Sequence, residues 1–445
     1  MTIQSGFSEC AYNPALQAPL HTTAGTNKAV TNMAMMRRNR HIRVLMYSHD
    51  TFGLGHLRRC REIAHALVEQ YKGLHVLIVS GSSIAGAFDF RARVDFIKIP
   101  SVIKLYNGEY TSLSKHIDLS ETLALRRSII EHAATHFRPD IFIVDKEPRG
   151  LHGELEPSLP ILRDQGCHVV LGLREVLDEP EVVAREWAKG NAMEWVENYY
   201  DSIWVYGSED FWHPLNGTEL PPSVEKRVRY VGFLGRRVPR IRKSSIRNLP
   251  DQFILATAGG GGDGSQLMRQ ILAAREIDRR AKFPLVMLLG PFMSSRDRSE
   301  ISHRARRLDD VSVFDFDNQI EGVMKQATAI VGMGGYNTFC EIMAFDKRTL
   351  LIPRKVPRRE QLIRAERAAH FGLVDMLDPD DARDPRKMAK ALQDLPFRKR
   401  PSECRYRIDL DGLSRIGKIV GRIIRQRDRE LRRSRVVIRR EPEMA

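Results

Sequence analysis

Cysteine is scarce, and what there is does not pair by pattern. The 445 residues include five (Cys10, Cys60, Cys167, Cys340 and Cys404), widely spaced, odd in number and without a C-x-x-C. Neither a disulfide framework nor a cysteine zinc site is suggested, and a reducing cytoplasm is favoured. Long apolar runs are missing too: none approaches the ~20 residues that a membrane-crossing helix needs. The first forty residues lack the basic start, apolar run and small-residue cleavage site of a secretory signal. Mixed and polar, they are expected to form a disordered leader, with Met33, Met35 and Met36 as alternative starts. Aromatic residues make up 7% and do not interleave with the arginine clusters, which argues against base stacking and so against nucleic acid.

Acidic residues fall short of basic ones, 56 against 71, leaving a formal net charge of +15. Such an excess asks for an anionic partner. Much of it is local: "GRIIRQRDRELRRSRVVIRREPEMA" (421–445) is dense in arginine, and "RKVPRRE" (354–360) adds a second cluster. A basic tail of this kind suits an anionic membrane surface, and a solvated helical tail is an equal reading.

What is present is a rhythm. Short apolar runs, "RVLMYSH" (43–49), "HVLIVSG" (75–81), "DFIKIP" (95–100), "IFIVD" (141–145), "HVVLGL" (168–173) and "SIWVYG" (202–207), alternate with helical patterns such as Leu57, Cys60, Ile63, Ala64, Leu67 and Val68. Continuous runs, rather than strict alternation, fit strands buried on both faces of a parallel sheet. After an arginine- and serine-rich joint the rhythm restarts with "FILATAGG" (253–260), "FPLVMLLG" (283–290), "VSVFDF" (311–316), "AIVGMGG" (329–335) and "TLLIP" (349–353). The fold class is therefore α/β, two doubly wound Rossmann-like domains in tandem, whose ligands bind beyond the carboxyl ends of the strands. We expect a leader at 1–40, a first domain at 41–235, a linker at 236–250, a second domain at 251–400, a helix at 401–430 and a basic tail at 431–445.

Three glycine-rich turns follow strands: Gly53-Leu54-Gly55-His56, Gly259–Gly262 with Asp263 and Gly264, and Gly332-Met333-Gly334-Gly335. Glycine permits a tight turn and a close ligand approach, and the helix that follows favours anions at its amino end. Any one of these turns is equally well explained by the tight loops that the fold needs anyway. A dinucleotide fingerprint starting at Gly53 fails, because its third glycine position holds Arg58.

"FGLGHLRRCREIAHAL" (52–67) resembles the glycine loop and helix of family-28 glycosyltransferases. "GMGGYNTFCEIMAFDKRTLLIPRKVPRREQLIRAERAAHFGLV" (332–374) is similar to that family's donor-binding segment. Within the family the chain resembles a bacterial branch of predicted glycosyltransferases. The resemblance implies the GT-B fold, with two Rossmann-like domains facing across a cleft and a C-terminal helix crossing back to the first. It implies an inverting hexosyl transfer from a nucleoside diphosphate sugar, UDP-linked, to a lipid-linked or polysaccharide acceptor of the cell envelope.

On that reading Gly260, Gly261, Gly334, Gly335 and the main chain at Tyr336, Asn337 and Thr338 cradle the diphosphate, without a call for metal or another cofactor. The resemblance places the ribose on Glu341, which by itself is equally an acid serving the helix dipole. It places sugar hydroxyls on Glu360 and Gln361, where the family's pair of glutamines is replaced by Glu-Gln. Gly53, Gly55 and His56 form the acceptor or phosphate loop. Arg354, Lys355, Arg358 and Arg359 either add charge near the diphosphate or belong to a solvated loop. Catalytic candidates are His56, Asp145 and Glu175, with His49, Asp50 and Glu147 at neighbouring strand ends. An imidazole can be neutral and basic near pH 7, yet the helix dipole disfavours its protonated form, so the base stays open. Competing readings are a nucleotide-sugar epimerase or hydrolase of the same fold, and a non-catalytic nucleotide-sugar or polyanion-binding protein.

Overall fold

The apolar runs become the strands of two parallel sheets in a computed structural model. It describes residues 41–438 apart from 50–53, 105–109, 114–115, 236–245, 247, 261, 279–280 and 317–319. The leader 1–40, most of the 236–250 linker and the last seven residues thus lie outside the described residues.

The first lobe runs β1 (Ile42–Ser48), α1 (Gly55–Gln70), β2 (Leu74–Ser80), β3 (Val94–Lys98), a hairpin of β4 (Val102–Lys104) and β5 (Tyr110–Ser112), α2 (Leu119–Phe137), β6 (Ile141–Asp145), β7 (His168–Arg174), α3 (Pro180–Lys189), β8 (Ser202–Tyr206) and β9 (Val228–Tyr230). Its sheet has the order β3-β2-β1-β6-β7-β8-β9 with every neighbouring pair parallel. The second lobe runs β10 (Ile254–Thr257), α4 (Ser265–Ile277), β11 (Leu285–Leu288), β12 (Val311–Phe314), β13 (Ala329–Gly332), α5 (Tyr336–Ala344), β14 (Arg348–Leu351), α6 (Glu360–His370) and β15 (Asp375–Met376). Its parallel order is β12-β11-β10-β13-β14-β15. These are doubly wound sheets, as the alternation of runs and helices predicts.

Strand order reverses between β1 and β6 in one lobe and between β10 and β13 in the other. Loops leaving the carboxyl ends of such strand pairs diverge to opposite faces and open a crevice. His56 follows β1, Asp145 ends β6, Gly259 and Gly260 follow β10, and Gly334 to Thr338 follow β13. Topology alone thus sends most of the candidate residues to the two switch points.

Helix α1 buries Leu57, Cys60, Ile63, Ala64, Leu67 and Val68 against the first sheet, the face that its spacing predicts. An aromatic cluster joins the lobes: Phe211 meets Phe233 at 5.1 Å between ring centroids and Phe339 at 6.0 Å, and Phe233 lies 6.3 Å from Tyr336. The chain passes between the lobes twice, and the two passages touch. Phe233 N donates to Asp409 O at 2.8 Å, and Gly412 N donates to Phe233 O at 3.1 Å. The last helix, α7 (Gly412–Ile438), then returns to the first lobe. It buries Ile416 and Val420, accepts from Tyr71 Oη at Gly417 O (2.9 Å), and donates from Arg427 to Asp140 O (2.8 Å). The described residues from Ile42 onward belong to a single compact unit. Among the described residues no helix is long and apolar enough to cross a membrane.

Candidate functional site

On the first lobe, the glycine turn delivers His56 as the second residue of α1. Its Nδ1 meets Asp145 Oδ2, at the end of β6. One helical turn on, Arg59 grips the same carboxylate twice, Nε to Oδ1 at 2.8 Å and Nη2 to Oδ2 at 2.6 Å. Burial pushes the His56 imidazole down to about 4; Asp145 opposes that shift, while Arg59 and Arg174 reinforce it. Burial works to raise Asp145, but Arg59 and His56 outweigh it and hold the acid well below the usual carboxylate range. The pair at neutral pH is a neutral imidazole beside an ionised carboxylate. With Asp145 accepting from Nδ1–H, the basic lone pair is on Nε2.

A buried polar chain supports this pair. His49 stands edge-on to His56, ring centroids 5.6 Å apart, and its Nδ1 is 3.4 Å from Tyr47 Oη. Tyr47 donates to Glu154 Oε1 at 2.5 Å, and Arg126 holds Glu154 at 2.7 and 2.6 Å. Burial keeps His49 uncharged. Lys146 takes the left-handed region (φ 76°) straight after Asp145, and its Nζ pairs with Glu147 at 2.6 Å. Non-glycine residues held there store backbone strain, which is concentrated at functional sites. Burial would raise Glu147, yet Lys146 and His49 bring it down to about 2.

On the second lobe, Gly334 needs its positive φ of 79° to turn from β13 into α5, and Gly335 caps the helix with no side chain closing its amino end. A Cβ placed on Gly335 would meet nothing within 4 Å, and the same holds for Gly55. The N–H groups of Tyr336, Asn337 and Thr338 open the helix, where no carbonyl of an earlier turn can accept from them. The two turns touch: Asn337 Nδ2 donates to Gly55 O at 3.0 Å. A Cβ on Gly259 would come no nearer than 4.0 Å to Thr338 Oγ1, and Gly260 O accepts from Phe292 N at 3.0 Å. Gly53, Gly261 and Asp50 lie outside the described residues.

Glu341 is buried a turn into α5 and reaches across the gap, its Oε1 accepting from Arg58 Nη2 at 2.6 Å. Glu360 and Gln361 open α6 and are buried as well. Gln361 Oε1 accepts from Arg354 N at 3.3 Å, and Glu360 Oε1 accepts from Arg354 Nη2 at 2.6 Å.

Glu175, expected at the chemistry, is fully buried and bonded to Arg364 of the other lobe; Arg364 also donates to Gly334 O at 3.0 Å. Its place is that of a link that, through Arg364, ties the Gly334 turn to the end of β7. The basic loop is half-buried to exposed, and each of its cations has a carboxylate partner. Arg354 pairs with Asp263 and Glu360, Lys355 with Asp378 and Asp380, Arg358 with Asp178 and Glu186, and Arg359 with Glu179.

Three residues escaped the sequence reading. Arg59 is buried rather than an exposed first-turn arginine; its spacing, three after His56 and four before Ile63, puts it on the apolar stripe. Tyr336 offers more than its main chain. Its hydroxyl donates to Tyr206 O (2.9 Å) and accepts from Leu234 N (3.2 Å), with its ring between Arg59 and Arg364 at 5.7 and 5.6 Å. Arg364 carries no local signal, since its partner is 189 residues away. Among the described residues no group of three or more His, Cys, Asp or Glu is arranged to hold a metal ion.

Residues 255–403 match the glycosyltransferase family 28 C-terminal domain. No curated protein matches the sequence. Solved structures with the same fold include MurG of Acinetobacter baumannii, at 10% identity and a TM-score of 0.53 over 86% of this chain and 99% of that one. Phytolacca americana UGT2, complexed with UDP-2-fluoro-glucose and pterostilbene, matches at 13% identity and TM-score 0.53 over 86% and 94%. The UDP-GlcNAc 2-epimerase of Neisseria meningitidis, bound to UDP-GlcNAc, matches at 12% identity and TM-score 0.50 over 86% and 99%. Residues 255–403 thus carry a glycosyltransferase family 28 C-terminal domain, and the fold of the chain is that of the GT-B glycosyltransferases.

Proposed function

We propose that the protein is an inverting glycosyltransferase that moves a hexosyl group from a UDP-linked sugar to a hydroxyl of a lipid-linked or polysaccharide acceptor. One observation carries this: the two glycine turns meet across the gap, with the His56–Asp145 pair on one side and an uncapped helix start and Glu341 on the other. The first lobe (41–235) takes the acceptor and the second (251–400) the donor. In related folds, UGT2 and the Neisseria epimerase hold UDP sugars.

The chemistry follows from the residues. His56 Nε2 accepts the acceptor's hydroxyl proton while Asp145 stabilises the imidazolium that forms. The oxygen attacks the anomeric carbon opposite the diphosphate, the bond to the diphosphate oxygen breaks, and configuration inverts. The leaving group departs with one more negative charge, which the N–H groups of Tyr336 to Thr338 stabilise from fixed positions. Glu341 accepts from the ribose hydroxyls once Arg58 has released it, and Glu360 and Gln361 face the sugar. The arginines beyond Glu430 bind anionic headgroups and hold the enzyme at the inner face of the cell membrane.

A panel of nucleoside diphosphates in a thermal-shift assay identifies the donor base, because a ligand that binds only the folded form raises Tm. Incubation of the matching sugar nucleotide with and without acceptor then tests the reaction. Release of nucleoside diphosphate that depends on acceptor supports transfer. Release or isomerisation with donor alone supports the epimerase or hydrolase reading, which the fold shared with the Neisseria epimerase favours.

A further inference from the structure

Two imidazoles, not one, stand beyond the end of β1. His56 has its Nδ1 on Asp145. His49, the residue after β1, is 5% exposed and lies edge-on to it, with ring centroids 5.6 Å apart and 77° between the planes. The transfer step described above makes no use of His49. Tyr47, two residues earlier, is on the same side of the strand, and its hydroxyl is 3.4 Å from His49 Nδ1. Donor counting fixes the proton between them. Tyr47 Oη has one hydrogen and gives it to Glu154 Oε1 at 2.5 Å. Glu154 can only accept, because Arg126 donates to both of its oxygens, at 2.7 and 2.6 Å. Leu151 N also donates to Tyr47 Oη, at 3.1 Å. The hydroxyl has a lone pair for His49 and no proton, so the hydrogen is on His49 Nδ1.

The lone pair of His49 is then on Nε2, which the shape of the ring turns away from Tyr47. Among the described residues nothing bonds to it. Burial keeps the ring uncharged, so the lone pair stays free of a proton. The chain that fixes it is sealed: Tyr47, Arg126 and Glu154 are at most 1% exposed. The two histidines thus share one arrangement, with Nδ1 held by the protein and Nε2 left to accept. They differ in what holds them. Asp145 is a carboxylate and can stabilise an imidazolium, whereas the Tyr47 oxygen is neutral and cannot. His56 can take a proton, and His49 can accept a hydrogen bond. A buried acceptor left unmatched costs free energy, so the ligand that fits best brings a donor to it.

We propose that His49 Nε2 accepts a hydrogen bond from a second hydroxyl of the acceptor, on the carbon next to the one whose hydroxyl His56 deprotonates. This rests on the transferase reading given above and narrows it. The reacting end of the acceptor is a sugar ring with a vicinal diol, not the lone hydroxyl of a lipid alcohol. Each hydroxyl of such a diol donates over about 2.8 Å, so one diol reaches two nitrogens on adjoining rings. The second hydroxyl keeps its proton throughout. Its hydrogen bond orients the ring, so that the first oxygen faces the anomeric carbon while its proton meets His56 Nε2. An acetamido N–H on the neighbouring carbon supplies the same chemistry, a donor beside the reacting oxygen.

The test uses the full chain and its H49N and H49Q variants. An asparagine amide can still donate to Tyr47 Oη but offers nothing in the place of Nε2, whereas a glutamine oxygen reaches that place. UDP-glucose, UDP-galactose and UDP-N-acetylglucosamine serve as donors. The acceptors are the methyl glycosides of glucose, galactose, mannose and N-acetylglucosamine, their monodeoxy forms, and octanol. Removing the hydroxyl next to the reacting one should cut kcat/KM of the natural protein about tenfold to a hundredfold, and that of H49N less than about threefold. H49N should lose about tenfold to a hundredfold with the complete acceptor, H49Q should recover part of that, and UDP affinity should stay within about twofold in both. Nitrogen NMR of the histidines should find His49 protonated at Nδ1, a readout that needs neither donor nor acceptor. A proton on Nε2 overturns the proposal. So does an equal cost of deoxygenation in H49N and the natural protein, which marks a merely structural histidine. Octanol serving as well as the glycosides overturns it, as does a lack of turnover with every glycoside in a protein that binds UDP. A cost that follows loss of a neighbouring acetamido group, and not of a hydroxyl, overturns it in favour of an N-acyl amino sugar. Should the natural protein bind no UDP, the transferase reading fails first, and the unsubstituted chain alone reveals it.

Discussion

His56 should work as a base far below the pH at which an ordinary histidine charges. Held near 4 by burial, its imidazole is about 97% neutral at pH 5.5, where an unshifted one at about 6.5 would be about 9% neutral. The rate of nucleoside diphosphate release, as kcat/KM, should stay level from pH 8 to 5.5 and halve only near pH 4. Stability carries the same signature. The unfolded imidazole takes up its proton near 6.5 and the folded one near 4, so the fold is undisturbed above pH 6.5. It loses about 3 kcal/mol as pH falls through that window. His56→Gln should narrow the stability difference between pH 7.5 and pH 4 by that amount in urea melts. His49 shifts in the same direction but is present in both proteins, so most of its contribution cancels in the comparison. The same variant should lose about 10²- to 10⁴-fold in kcat, the usual worth of a positioned base. An acid limb between pH 6 and 7, or a His56→Gln enzyme keeping more than about a tenth of its kcat, would refute the assignment.

Other substitutions test the links between the lobes. Glu175→Ala strands the Arg364 guanidinium in the interior and should cost about 3–5 kcal/mol in denaturant melts, with E175M/R364M recovering most of it; unchanged stability in the single variant contradicts the link. Glu341→Gln should weaken nucleoside diphosphate binding about tenfold by calorimetry and leave the acid limb in place, and equal affinity rejects its ribose role. Arg58→Met should strengthen donor binding severalfold while lowering the melting temperature of the unliganded protein, since no ion pair then has to part; weaker binding shows that Arg58 helps to hold the donor. Removing residues 431–445 should abolish low-salt binding to vesicles containing anionic lipid, without affecting transfer to a soluble acceptor. Vesicle binding that survives the truncation, or that the full chain never shows, refutes a membrane role for the tail.

The two sheets were legible because a parallel strand announces itself. "RVLMYSH" and "AIVGMGG" are apolar on both faces and end in turn residues, and both open onto the gap as strands at a switch point. The short pieces were not. The hairpin of β4 and β5, the three-residue β9 and the two-residue β15 carry too few residues to show a period. Local chemistry was legible in the same way. Glycine before a helix marked both loops, and Asp145 closing "IFIVD" was visible as an acid at a strand end. Partnership across the gap was not, because it depends on which distant element a side chain meets. Arg58 and Glu341 are 283 residues apart, Arg59 and Asp145 are 86 apart, and nothing in either neighbourhood identifies the other member. Glu175 shows the same limit. A carboxylate beyond an apolar run looks like a catalytic acid until its arginine partner is found.

Those pairings change what the excess positive charge means. Arg354, Lys355, Arg358 and Arg359 look like a phosphate-attracting cluster, yet each is matched by a carboxylate, several of them on the opposite lobe. Ion pairs between exposed groups contribute about 0–1 kcal/mol each, so they specify how the lobes meet more than they hold them together. The aromatic cluster around Phe211, Phe233 and Phe339 supplies the apolar contact. On the proposed reading, a donor entering between the glycine turns would exchange the Arg58–Glu341 pair and the Asn337–Gly55 hydrogen bond for its own ribose and phosphate contacts. Its net affinity is therefore a difference, small compared with the number of contacts it makes.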